Sequence, residues 1–199
     1  MNPRLVLALV TVAVAALAVV IVVAGSRPSG IADTPPSGFE GATLPPDYRA
    51  PDFRLRDQDG EPISIRALRG RPVAVTFLYT ECDDTCPVQA QQIKGALDQL
   101  GHDVPVLAIS VDPANDTAAL ARKFNNEVRM TGRMDWVLGS EAELRPIWDG
   151  FAIQPQLEDA DHQARIVLVD ADGFQRIGFP LDQTTPERIA HDIARLEAE

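Results

Sequence analysis

The chain has 199 residues, with 18 lysines and arginines against 29 aspartates and glutamates, for a net charge of −11. That length suits one domain with additional segments. A surface this acidic repels phosphate backbones, which argues against nucleic-acid binding and leaves a basic partner or a metal cation as possibilities.

The amino-terminal segment is apolar. Across the 20 residues from Leu5 to Ala24 only Thr11 is polar. At about 1.5 Å of rise per residue this stretch spans a hydrocarbon core of about 30 Å. It is longer than the apolar stretch of about 7–15 residues in a cleaved signal peptide. Val22 and Ala24 leave a cleavage site open, but the length predicts a retained single-pass anchor over 5–24. Arg4 and the terminal amine place residues 1–4 in the cytoplasm, although Arg27 reduces the charge contrast. The rest of the chain is then expected to face the periplasm or another extracytoplasmic space, where thiols tend to oxidise. Residues 25–51 are rich in Pro, Gly and Ser without apolar periodicity and read as a linker, the alternative being that its end near Leu44 to Pro51 packs on the domain, with 52–199 as the folded domain.

From Asp52 onward strands and helices alternate. "DFRLRDQDG" and "EPISIRAL" predict a hairpin around Asp59-Gly60. "RPVAVTFLYT" is a near-continuous apolar run, as in a strand buried on both faces. The segment after Cys86 has a helical pattern, with Pro87 suited to the first turn and Gly101 to the stop. "VPVLAISV" is a second buried strand, and "DTAALARKFNNEV" a helix that Asp116 could cap. A short strand "DWVL" and a helix "SEAELRPIWDGF" follow. "ARIVLVD" and "FQRIGFP" flank a turn at Asp172-Gly173. "TTPERIAHDIARLEAE" closes the chain as an amphipathic helix packed through Ile189, Ile193 and Leu196. Parallel crossovers followed by an antiparallel hairpin predict a three-layer α/β sandwich.

The only cysteines, Cys82 and Cys86, stand in "FLYTECDDTCP", between the first buried strand and its helix. Ligands bind outside the carboxyl ends of strands in open α/β sheets. Amides at the helix amino end favour a thiolate, while Asp83 and Asp84 oppose one and favour an incoming cation. A structural disulfide here would close a very small loop and stabilise little. A thioredoxin-type redox pair has two intervening residues, not three. A peroxidatic cysteine is preceded by Pro and Thr, where Val75 and Tyr79 stand. A metal site, a redox pair and an inert disulfide all remain open at this point.

Three stretches together, "FLYTECDDTCP", "LAISVDPANDT" and "DHQARIVLVDADG", resemble the Sco/SenC family of copper proteins. Order and spacing agree from about Pro51 to the carboxyl end. The matching positions include Tyr79 and Thr80 before the cysteines, Pro87 after them, and Asp161 with His162 before a late strand. The resemblance implies a thioredoxin-like sandwich with a central mixed sheet, anchored by one amino-terminal helix. It also implies one copper ion, Cu(I) or Cu(II), bound by Cys82, Cys86 and His162. Asp83, Asn115 and Gln163 depart from the family's frequent Pro, Arg and Ser or Thr. These departures bear on fine geometry and partner surface and remove no ligand.

Two thiolates and one imidazole suit Cu(I), Cu(II) or Zn(II). Structural zinc takes four protein ligands, and no further cysteine exists to supply one. No proline occurs between Gln156 and Pro180, where redox members of the fold keep a cis-proline, so a histidine there favours coordination over disulfide chemistry. His102 and His191 read as surface residues, and Met130 and Met134 as packing or loop residues. Asp112, ending the second buried strand, is an acceptor near the site, a partner contact, or a turn acid before Pro113. Asp159 and Asp161 would orient the imidazole or simply be solvated. The resemblance implies a metallochaperone rather than an enzyme, delivering copper to the dinuclear copper centre of cytochrome c oxidase. Its partners would be the copper-accepting subunit, a copper donor and a thiol reductant. A thiol–disulfide reductase and a copper or redox sensor are the alternatives.

Overall fold

The computed structural model describes residues 38–156 and 164–199. The anchor read at 5–24 and the first part of the linker lie outside these residues. Among the described residues no helix is long and apolar enough to cross a membrane.

The strands are β1 (Ala42–Thr43), β2 (Leu55–Arg56), β3 (Pro62–Ile63), β4 (Val73–Leu78), β5 (Val106–Ser110), β6 (Asp135–Val137), β7 (Arg165–Val169) and β8 (Gln175–Pro180). The helices are α1 (Thr85–Leu100), α2 (Ala118–Glu127), α3 (Glu141–Phe151) and α4 (Pro186–Glu197). Six strands form one mixed sheet in the order β1-β8-β7-β4-β5-β6, and β2 with β3 forms the separate hairpin expected around Asp59-Gly60. β4 runs parallel to β5, and β5 to β6, while β7 is antiparallel to both β4 and β8.

β4 is central and buried at every residue, which is why it reads as a near-continuous apolar run. Its alternate side chains feed two cores. Ala74 and Leu78 pack with Ile93 and Leu97 of α1, Phe124 of α2 and Ile189 and Ile193 of α4. Val73, Val75 and Phe77 pack with Leu144, Trp148 and Phe151 of α3. The sheet therefore lies between α3 and the other three helices, giving the three expected layers.

Local signals explain most helix ends. Gly101 takes the left-handed conformation (φ 74°) that stops α1, its N–H bonding to Leu97 O. Glu143 accepts from Ser140 N at the start of α3, and Thr185 caps α4 ahead of Pro186. The start of α2 differs from expectation. Thr117 caps it, accepting from Leu120 N, while Asp116 turns inward to other partners.

Residues 38–51, read as the end of the linker, belong to the fold: the compact unit begins at Gly38. β1 pairs with β8, and Ala50 is buried. Pairing partners more than 130 residues away leave no local pattern, so the Pro- and Gly-rich composition dominated the sequence reading. The segment is held by Asp192 of α4, fully buried, whose carboxylate accepts from Glu40 N at 2.8 Å and Gly41 N at 2.9 Å. Asp192→Ala is expected to lower the unfolding free energy by about 3 kcal/mol, because two amides lose a charged acceptor. Equilibrium urea denaturation measures this; a loss under about 0.5 kcal/mol would mean that other contacts hold the segment.

Candidate metal centre

The site forms where two parallel strands end. The last rung between them runs from Val111 N to Leu78 O at 3.0 Å. Beyond it β4 turns into a loop, Tyr79 to Asp84, which enters α1 at Thr85. Asp84 caps the helix by accepting from Thr85 N. The first turn of α1 therefore presents its free amides to the loop, and the sulfur of Cys82 occupies that position.

Cys82 and Cys86 are free thiols with relative exposures of 4% and 0%. Cys86 N donates to Cys82 Sγ across 3.2 Å, and Thr85 Oγ1 lies 3.5 Å from the same sulfur. Cys82 Sγ also lies 3.6 Å from Asp84 Oδ1, and Cys82 N donates to Tyr79 O at 3.4 Å. The three-residue gap thus lays the first cysteine over the amide of the second.

This geometry polarises the pair. Burial raises the Cys82 pKa, but hydrogen bonds from Cys86 and Thr85 more than offset it and leave the thiol below its ordinary range. Burial drives Cys86 the other way, reinforced by its hydrogen bond with Cys82, so Cys86 stays protonated well above neutral pH. Burial and a hydrogen bond with Cys82 also push the Tyr79 phenol up. The sequence reading set Asp83 and Asp84 against a thiolate; at Cys82 the hydrogen bonds from Cys86, Thr85 and the backbone prevail, although Asp84 Oδ1 lies beside the sulfur.

Cys82 opens on a cleft of about 510 Å³ between α1 and α2, lined by Thr80, Cys82, Pro87, Gln91, Phe124 and Val128 among others. A buried thiol kept neutral beside one of lowered pKa suits a soft cation: the first sulfur ionises the more readily, and the second releases a proton on binding. Among the described residues no group of three or more His, Cys, Asp or Glu side chains is arranged to hold a metal. The third ligand read from sequence, His162, lies outside the described residues, as do Asp159 and Asp161.

The other sites read from sequence fall elsewhere. Asp112 accepts from Asn115 Nδ2 at 2.8 Å and lines a second cleft with Arg145, Trp148 and Gln156, not the cleft of Cys82. Met130 and Met134 are core residues, 0% and 1% exposed. His102 is exposed, its Nε2 2.8 Å from Glu197, and His191 Nδ1 lies 2.8 Å from Asp192. One residue was missed. Asp116 reaches Thr80, in the loop just before Cys82, and Ser110 at the end of β5. Its only sequence signal was an acid beside a helix start, which a cap explains equally well.

In the reduced protein at about pH 8, iodoacetamide is expected to modify Cys82 well before Cys86, as peptide mass spectrometry would show. The pH midpoint of Cys82 labelling should lie below that of a free thiol. Folding favours the Cys82 thiolate, so its contribution to stability is present above the ordinary thiol pKa and lost as pH falls through the lowered one. Cys86 labelled first, or both at equal rates, would contradict the polarised pair.

Comparison with known proteins identifies the family of the chain. A family model described as SCO1/SenC matches residues 42–198. Protein SenC of Rhodobacter capsulatus is 29% identical over 155 residues, covering 71% of this chain and 67% of that protein. The structure of Bradyrhizobium japonicum ScoI with copper bound matches with a TM-score of 0.64 and 30% identity, covering 74% of this chain and 99% of that one. BsSco, described as having a disulfide switch and belonging to the Sco family of cytochrome c oxidase assembly proteins, matches with a TM-score of 0.68 and 26% identity. That match covers 77% of this chain and 95% of BsSco. The fold is thioredoxin-like with a central mixed sheet, and the chain belongs to the SCO1/SenC family.

Proposed function

We propose that this protein is a copper metallochaperone that binds one copper ion through Cys82, Cys86 and His162. The observation that carries this reading is the polarised thiol pair over the first turn of α1, in a chain similar to a ScoI structure described with copper bound. Cys82 meets the ion as the more acidic sulfur. Cys86 follows, giving up the proton that its burial retains, so capture is coupled to proton release. A site of three protein ligands next to an open cleft leaves an approach for a partner's ligands, which suits transfer by ligand exchange.

The same pair can be switched off. Joining Cys82 and Cys86 in a disulfide passes two electrons and two protons to an oxidised dithiol partner and removes both sulfur donors; a thiol reductant restores them. The acceptor in this reading is the dinuclear copper centre of cytochrome c oxidase, by analogy with the assembly role named for BsSco. The apolar run at 5–24 would tether the domain on the extracytoplasmic face, within reach of that acceptor. Reporter fusions before residue 5 and after residue 51 test that topology.

A thiol–disulfide reductase is the second reading, favoured by the lowered pKa of Cys82 at the cleft. Copper titration of the reduced protein, followed in the visible spectrum, separates the two. A thiolate-to-Cu(II) charge-transfer band is expected, abolished by Cys82→Ser or Cys86→Ser and shifted with at least about tenfold weaker binding in His162→Ala. Reduced protein that binds no copper tightly, yet reduces a partner disulfide at a useful rate, would overturn the chaperone reading.

A further inference from the structure

β4 and β5 separate after the rung from Val111 to Leu78, the first turning towards Cys82 and the second into Asp112 and Pro113. The carboxylate of Asp116 sits in that fork. Its Oδ1 accepts from both Thr80 N and Thr80 Oγ1, each at 2.7 Å, and its Oδ2 accepts from Ser110 Oγ at 2.5 Å. Its own amide donates to Asp112 O at 2.8 Å, which ties it to the turn leaving β5. The side chain thus extends the strand pairing past the point where backbone partners run out.

Two of these bonds hold one residue, Thr80, and Thr80 is joined directly to Tyr79. Tyr79 O accepts from Cys82 N, and the Tyr79 backbone also hydrogen-bonds the Cys86 thiol. One peptide unit therefore separates the carboxylate from the groups that fix both cysteines. Burial pushes the Asp116 pKa up, and the bonds from Ser110 and Thr80 pull it back. A carboxylate in such surroundings is costly without its donors, so it holds Thr80 in one place.

We propose that Asp116 is the positioning residue of the thiol site, acting through Thr80 to keep Cys82 and Cys86 in one fixed arrangement. For copper affinity the proposal rests on the metallochaperone reading; for thiol protection it stands without copper.

The test uses the reduced, metal-free full-length chain in detergent. Iodoacetamide labelling of the buried Cys86 is read by mass spectrometry, and Cu(I) affinity by competition with a chromophoric chelator. Asp116→Ala is expected to speed Cys86 labelling, and to weaken Cu(I) binding, by about tenfold each, through local opening of the loop. Thr80→Val removes one of the two bonds at Thr80 and should move both readings the same way by about threefold. Asp116→Asn keeps an acceptor oxygen for Thr80, and Ser110→Ala leaves both Thr80 bonds in place. These two should stay within about twofold of the native protein. Native labelling rates in Asp116→Ala and Thr80→Val overturn the proposal. So does an equal effect in all four variants, which would make Asp116 only a part of general packing. Should Asp116→Ala not fold, Thr80→Val decides alone. Native protein that binds no copper refutes the metallochaperone reading, while the labelling arm still judges the role of Asp116.

Discussion

The amide of Cys86 reaches the sulfur of Cys82 across 3.2 Å, and much of the surrounding structure serves that contact. It requires a helix that begins soon after a strand end, here Thr85 after the loop that follows Leu78, with its first turn uncapped except on one side. β4 supplies the strand end, fixed by burial in two cores at once. Asp84 supplies the cap without covering the sulfur-facing amide. α1 is held down along its length by α4, with Ile93 and Leu97 in the same core as Ile189 and Ile193. Loosening any of these would leave two ordinary thiols in a loop.

From that contact follows the asymmetry of the pair. Hydrogen bonds from Cys86 and Thr85 lower the pKa of one thiol at the mouth of a cleft, and burial raises that of its neighbour. A pair of equal thiols would oxidise or bind a cation with no order to the events. Here the two differ, since the sulfur at the cleft loses its proton more readily than the inner one. The three intervening residues matter for this, because they set the second cysteine's amide under the first cysteine's sulfur.

The layers, the strand pairs and the helix faces were legible because burial repeats with a short period. β4 shows as a near-continuous apolar run, and α4 shows as Ile189, Ile193 and Leu196 on one face. The cysteine pair was legible as chemistry, though "YTECDDTCP" alone left metal, redox and inert disulfide open, and the resemblance carried by distant motifs moved the balance. Residues 38–43 were left in the linker because their partners, β8 and Asp192, lie at the far end of the chain. Asp116 was misread for the same reason, its cap-like position hiding bonds to a loop 36 residues earlier.

The sequence by itself determined most of the secondary structure, apart from β1, and the strand end at which the two cysteines stand. Those depend on periodicity and side-chain type, which are local properties. Only the tertiary structure decided which thiol is acidic, what Asp116 holds, and where the folded unit begins. Each of these depends on burial or on a partner distant in the chain. A pKa follows from the surroundings of a group, and a hydrogen bond from the fold that brings its two ends together.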